Sequence, residues 1–329
     1  TNLHARKAVP EMNSSKVKHF FASIGKSRRT GGHISVTREI REFYQNTGLF
    51  DPHWYLASND DLRANNVEPL EHYLNFGWRE MRDPSPYFSI WTYFSLYPEL
   101  RAIGVEPLKH FVELGDEERR IPNPAFESRW YAARYLSGQP NAAPFRHFLS
   151  EGAAQGNWPH PLFDPKWYAI HVNRPAIGVK EAYLGFLAAG PSASPNSFFN
   201  GDYYLRENPD VSRSGLHPLL HFYLYGGAEG RAPSENFDSR WYLESNSDVA
   251  EVKINPLEHY LHYGQAEGRS ARPIAATSIK EVHGQLSMLR LESFLSSSMR
   301  FYFPKYDRKR PDISIIIVVY NKANLTFDC

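Results

Sequence analysis

The sequence predicts a mainly α-helical protein: a solenoid-like array of six helical repeats of about 38 residues, then a linker helix and the first β-strand of a truncated α/β domain. Three observations predict it. Six phenylalanines open similar stretches at nearly constant spacing. A glycine follows a short amphipathic segment in each stretch. A β-branched apolar run stands near the end of the chain.

The repeat comes first. Phe50, Phe88, Phe126, Phe163, Phe199 and Phe237 recur at intervals of 36 to 38 residues. The clearest copies open FDPHWYLASNDDL, FFNGDYYLRENPDV and FDSRWYLESNSDV; the copy at Phe163, FDPKWYAIHVNRPAIG, is the most degraded. Helix punctuation recurs with them. Asp51 before Pro52 and Asp164 before Pro165 read as an N-cap and a first helical residue. Asn208-Pro209 repeats the signal for a short second helix, and Asn255-Pro256 for a third. Gly77, Gly115, Gly152, Gly190, Gly226 and Gly264 are expected to end the third helix as left-handed caps. Helices of two turns do not persist alone, so tertiary packing must hold them. Leu70 and Leu74 share one helical face, with His72 and Phe76 opposite, so this helix is expected to be sandwiched between neighbours. Each unit would then bury the surface of the next, as in stacked repeats, with almost no strand between Phe50 and Pro273.

The recurrent side chains follow from that frame. Trp54-Tyr55, Trp130-Tyr131, Trp167-Tyr168, Tyr203-Tyr204 and Trp241-Tyr242 hold one phase of the unit and read as core. The competing role, stacking on sugar rings, needs these rings exposed along one groove. His72, His110, His147, His221 and His259 recur, with Tyr183 in the degraded copy. Metal binding is disfavoured, because packed helices lie about 8–10 Å apart whereas zinc holds nitrogen at about 2.0–2.1 Å. These histidines, with Gly77, Gly115, Gly226 and Gly264, are therefore assigned structural roles. Each ring nitrogen is expected to bond a backbone carbonyl or a nearby carboxylate. Glu80 with Arg82, Glu118 with Arg120, Glu229 with Arg231 and Glu267 with Arg269 also recur. The Glu is expected on turn amides and the Arg bridging to the next unit; a ladder of Arg for acidic glycans is the alternative.

Composition narrows the function classes. The formal net charge is +1, which gives no reason to expect nucleic acid. The one cysteine, Cys329, permits no internal disulfide and no cysteine-based metal site. No apolar run reaches the roughly 18 residues of a membrane span, so a cytoplasmic place is expected, with the inner membrane face as a variant. No nucleophile elbow, Walker loop or zinc-protease helix is present. No catalytic and no metal-ligating residue is assigned.

The domain reading is then as follows. Residues 1–48 form a basic arm, with Lys16, Lys18, Lys26, Arg28 and Arg29, and a capping helix over VTREIREFYQNT. Residues 49–273 are the repeats. Residues 274–310 are a linker helix, SIKEVHGQLSMLRLESFLSSS, and an extended linker bounded by Pro304 and Pro311. Residues 311–329 begin an α/β domain.

That last stretch reads PDISIIIVVYNKANLTFDC. The run at 313–319 has the character of a buried parallel strand, ended by Tyr320-Asn321, and ligands of such folds sit beyond the strand's carboxyl end. The stretch resembles the opening of the family 2 glycosyltransferases of GT-A fold, whose first strand typically ends Pro-Val-Tyr-Asn; here Val318 stands for the proline. The lead-in FLSSSMRFYFPKYDRKRPDIS is similar to that of large bacterial proteins joining such repeats to this domain. The resemblance implies a transferase of surface-polysaccharide assembly that passes sugar from a nucleotide sugar to a glycan acceptor. It implies contact with the nucleotide by Val319, Tyr320 and Asn321, and a divalent metal, Mg or Mn, in the complete enzyme. The family's Asp-x-Asp metal site and catalytic base would lie beyond Cys329. A chain starting at Thr1 and stopping inside this motif is expected to be an inactive fragment whose repeats serve as scaffold or as a module for acceptor or protein partner. The alternative is a non-enzymatic array that binds protein or glycan.

Overall fold

The computed structural model describes residues 33–273 apart from Asn66. The basic arm, the linker and the expected strand with Val319, Tyr320 and Asn321 lie outside the described residues.

The described chain is mainly helical. Helix α1 (Arg38–Thr47) is capped by the Thr37 hydroxyl, which accepts from the Ile40 amide, and ends at Gly48 with φ 64°. The first block, opened by Phe50, contains α2 (Pro52–Ala57), α3 (Asp60–Ala64) and α4 (Pro69–His72), and α4 runs into a π-helical turn, π1 (Tyr73–Gly77). The same order returns in the second block as α5 (Ile90–Leu96), α6 (Pro98–Ala102), α7 (Pro107–His110) and π2 (Phe111–Gly115). The third block has α8 (Ser128–Tyr135), α9 (Pro144–His147) and π3 (Phe148–Gly152). The fourth has α10 (Pro165–His171) and one uninterrupted helix, α11 (Val179–Ala189). The fifth has α12 (Gly201–Glu207), α13 (Pro209–Ser214), α14 (Pro218–His221) and π4 (Phe222–Gly226). The sixth has α15 (Ser239–Ser245), α16 (Ser247–Val252), α17 (Pro256–His259) and π5 (Tyr260–Gly264). Among the described residues the only extended pairing is three single-residue bridges: Ser85 with Phe88, Asn196 with Phe199, and Ser234 with Phe237.

Local chemistry sets these starts. Asp51 accepts from the His53 and Trp54 amides, Asp164 from those of Lys166 and Trp167, and Asn255 from those of Leu257 and Glu258, with proline at the first helical position each time. Asn208 departs from the expected cap. Its amide instead donates to the Tyr204 carbonyl, and its oxygen accepts from Arg231.

The glycines depart too. Gly77, Gly115, Gly152, Gly226 and Gly264 lie inside the helix, and none has positive φ; only Gly190 does, at 76°. The left-handed residue comes four positions later: Met81, Arg119, Gly156, Gly230 and Gly268. There the chain closes a Schellman motif. The Arg82 amide donates to the Gly77 carbonyl at 2.9 Å and the Met81 amide to that of Trp78 at 3.4 Å. Arg120, Asn157, Arg231 and Arg269 bond Gly115, Gly152, Gly226 and Gly264 in the same way. The third helix therefore runs about a turn further than the glycine suggests.

Each block is also tied shut. The amides of Asp51, Ser89, Glu127, Asp164, Asn200 and Asp238 donate to the carbonyls of Pro84, Pro122, Pro159, Pro195, Pro233 and Ala271, every one at 3.0 Å. The opening phenylalanines are buried, and a continuous main core runs from Tyr44 to Tyr260, with Val105 and Leu114 in a small separate cluster.

Two packing expectations fail. The face of the third helix opposite Leu70 and Leu74 is not sandwiched in three blocks: Phe76 is 51% exposed, and Tyr225 and Tyr263, at the same position, are 49% and 50% exposed, whereas Leu114 there in the second block is buried. Contacts also reach beyond sequence neighbours. The Trp91 indole donates to the Gly215 carbonyl at 3.1 Å, joining the second block to the fifth. His262 of the sixth block bonds the Pro161 carbonyl at 2.9 Å and packs on Trp130 and Trp158 of the third. The array curls tightly enough that each of these blocks meets its third neighbour.

Candidate functional site

The recurrent histidines have a shared partner that their spacing did not reveal. The tyrosine five residues after the opening phenylalanine shares a hydrogen bond with Nδ1 of the histidine. The pairs are Tyr55–His72 at 3.0 Å, Tyr93–His110 at 2.8 Å, and Tyr131–His147, Tyr204–His221 and Tyr242–His259 at 2.9 Å. The partner is a phenol, not the carbonyl or carboxylate expected. All five tyrosines are buried. The same hydroxyls explain the glycines. A Cβ on Gly77 would lie 2.0 Å from the Tyr55 oxygen, and on Gly152 1.9 Å from that of Tyr131. Gly115, Gly226 and Gly264 meet Tyr93, Tyr204 and Tyr242 at 2.4, 2.0 and 2.3 Å. A methyl group and the hydroxyl cannot share that space. Burial holds His110 neutral down to about 3 and lowers His72, His221 and His259 as well. Neutral rings committed to tyrosines are framework. Among the described residues no group of three or more His, Cys, Asp or Glu is placed to hold a metal.

The Glu–Arg pairs are framework too, but not as expected. Arg82 reaches back to Asp61 at 2.7 and 2.9 Å and to Asn59 at 3.0 Å, all within its own block. Glu80 accepts from Arg82 at 2.7 Å rather than from turn amides. Arg231 and Arg269 repeat the pattern with Asp210, Asn208 and Glu229, and with Asp248, Asn246 and Glu267. Arg120, 6% exposed at its side chain, pairs with Glu99 and Glu118 and lies over the Tyr97 ring. These guanidinium groups are occupied at home, so they bridge no blocks and present no open ladder to acidic glycans.

The aromatic pairs divide. The second residue of each is core, whereas the first is half-buried at Trp54, Trp130, Trp167, Tyr203 and Trp241. His262 covers Trp130 at a centroid distance of 5.5 Å. Trp167 and Tyr203 instead line one open cleft of about 350 Å³ between α10 and α12, at the low end of small-molecule sites. His171 stacks on Trp167 at 4.5 Å and 15°, and the Arg206 guanidinium lies 5.2 Å from the Tyr203 centroid. The rest of the wall is polar, including Asn200, Asp202, Glu235 and Asn236. Its floor is fixed by two buried side chains. Asn196 donates to the Leu162 carbonyl at 2.7 Å, and the Ser234 hydroxyl donates to that of Phe198 at 2.7 Å.

Sequence spacing placed Trp167 and Tyr203 at equivalent phases but could not show that they face one cleft. The tyrosine partner was legible in principle, since it stands 16 or 17 residues before each histidine. Searches of protein families, of curated proteins and of solved structures give no match to this chain.

Proposed function

We propose that the chain is the front part of a nucleotide-sugar-dependent glycosyltransferase of surface-polysaccharide assembly. Its six-unit, solenoid-like helical array would hold the glycan acceptor in the cytoplasm or at the inner membrane face. The observation that carries the enzyme reading is the run IIIVVYN at 315–321, directly after the repeats and linker. The polar, aromatic-flanked cleft supports the acceptor role of the array.

In this reading, Val319, Tyr320 and Asn321 contact the nucleotide, and sugar passes to a glycan hydroxyl deprotonated by a carboxylate. Neither that carboxylate nor the Asp-x-Asp that would hold Mg or Mn is found after the strand in this sequence. No residue here is assigned to metal, and no step is routed through it.

The test is the reading frame past Cys329 and the protein it encodes. An Asp-x-Asp downstream, with sugar transfer from a panel of nucleotide sugars that drops when Asn321→Ala is introduced, is expected. A stop codon directly after Cys329 overturns the enzyme reading and leaves a binding array.

A further inference from the structure

We infer that the cleft between α10 and α12 is a binding subsite for a neutral glycan, with one pyranose ring lodged beside Trp167 and Tyr203. The inference deepens the acceptor reading above and rests on it for its place in a reaction.

Two features point to sugar. A pyranose presents an apolar C–H face and a rim of hydroxyls, so its site needs flat aromatic surface next to polar groups that both donate and accept. The cleft offers that pairing: two half-buried aromatic rings, and a wall of amide and carboxylate groups. The two rings do not pack on each other. Each is steadied from its own helix, Trp167 by His171 and Tyr203 by Arg206. Rings fixed before binding lose little freedom on binding.

Polar capacity remains as well. Asn200 uses its side-chain oxygen to cap α12, accepting from the Tyr203 amide at 2.8 Å. Its amide nitrogen, the Asp202 carboxylate and the Asn236 side chain are solvent-facing, with no hydrogen-bond partner among the described residues. By contrast, the buried Asn196 and Ser234 beneath them are fully engaged with backbone. A rigid floor under open donors and acceptors is the arrangement a hydroxylated ring requires.

Charge selects a neutral ligand. Asp202 lines the cleft with no ion-pair partner among the described residues, and the arginine there, Arg206, is paired with Glu207 at 3.1 Å. A uronic acid or phosphate would meet like charge without a compensating free cation.

The contrast with Trp130 argues against a purely structural role. That ring holds the same phase and is covered by His262 from a distant block. Trp167 is covered only from within its own helix, by His171 at 4.5 Å; among the described residues no distant block lies over it, and its cleft is lined by polar side chains.

The test is equilibrium binding to the full chain, by saturation-transfer NMR and tryptophan fluorescence. The probes are cellotriose, maltotriose, chitotriose and, as the acidic comparison, trigalacturonate. At least one neutral trisaccharide is expected to bind, with affinity reduced about tenfold in Trp167→Ala and in Tyr203→Ala. Asp202→Ala is expected to weaken it about threefold, and Trp241→Ala, at the same phase elsewhere, to leave it unchanged. Thermal melts report folding. If Trp167→Ala unfolds, Asp202→Ala and Tyr203→Ala decide. No neutral binding, tighter binding of trigalacturonate, or parental affinity in folded Trp167→Ala and Tyr203→Ala would each overturn the subsite. Transfer activity in the longer gene product without sugar binding here removes this subsite alone. Binding here without transfer removes the enzyme reading alone.

Discussion

The fourth block differs from the other five in one coupled set of features, and the difference shows what the recurrent residues do. In five blocks a histidine bonds a buried tyrosine, a glycine makes room for that tyrosine's hydroxyl, and the helix opens into a π-turn between the two. In the fourth, Gly185, 17 residues after Tyr168, stands at the histidine's place rather than Tyr183. Tyr183 packs on Phe148, and its oxygen accepts from the Asn123 amide of the second block at 2.5 Å. The helix α11 stays α-helical through all 11 residues. A Cβ on Gly185 would meet Tyr168, the counterpart of the bonded tyrosines, at 3.4–3.9 Å, an ordinary contact. A π-turn replaces α-helical geometry with a wider loop of backbone and occurs mostly as single turns at special sites. Here it accompanies the tyrosine–histidine bond wherever that bond is present.

The comparison can be broken most forcefully at the glycines. Gly226→Ala sets a methyl group 2.0 Å from the Tyr204 hydroxyl and is expected to cost about 3 kcal/mol in chemical denaturation. Adding Tyr204→Phe should recover at least half of that loss, because the next atom lies at 3.2 Å. Gly185→Ala in the fourth block should have the opposite sign, a gain of up to about 1 kcal/mol from helix propensity. A loss at Gly185 equal to that at Gly226 would show that the hydroxyl is not the reason for glycine.

The histidines come next. His221→Ala strands the buried Tyr204 hydroxyl and should cost about 2 kcal/mol. Tyr183→Phe should cost about 1 kcal/mol or less, since Asn123 keeps its bond to the Tyr87 carbonyl at 2.7 Å. Equal losses at the two positions would remove the distinction between the blocks.

Acid supplies a more gradual probe. Burial holds His110 and His160 neutral to about 3 and His217 to about 4, whereas an unfolded histidine protonates near about 6.5. Their stability contribution is present above that value and is lost as pH falls towards 3. Asp83 and Asp116, raised by burial to about 7 and about 6, act in the reverse sense, giving stability that is lost as pH rises from about 4. Denaturation midpoints at pH 7 and pH 5 should therefore fall less steeply in His110→Phe than in the parent. An identical pH slope would show that His110 is not held neutral by the fold.

The smallest effect is expected at the recurrent arginines Arg82, Arg120, Arg231 and Arg269, which the third and fourth blocks lack. Arg231→Ala should cost about 1 kcal/mol or less, since Asp210 and Glu229 are half exposed. A loss above 2 kcal/mol in urea denaturation would mark the Asn208–Arg231–Asp210 group as a cooperative network.

The frame of the fold was legible because it is carried by residue type. Buried phenylalanines set the period, and Asp-Pro and Asn-Pro pairs set helix starts. The helix end was misread because its left-handed residue is glycine in three blocks but Met81 and Arg119 in two, so the true signal is diluted. The π-turn has no composition of its own; it follows from a hydroxyl far along the chain. The third-neighbour contacts were invisible because curvature accumulates from small rotations between blocks that no single residue encodes. For the same reason the cleft at Trp167 and Tyr203 could be phased but not seen. The nucleotide-contacting positions proposed at Val319, Tyr320 and Asn321 lie outside the described residues, and the reading there remains one of sequence pattern.

The Trp91–Gly215 and His262–Pro161 bonds carry a consequence for how such an array grows. In an open stack, stability rises by the same increment with each added unit. Here the first units gain no such cross-tie until a fourth arrives to lie against the first of a run. Length would then act as a threshold: short arrays would behave as loose strings, and completing one coil would lock several units at once.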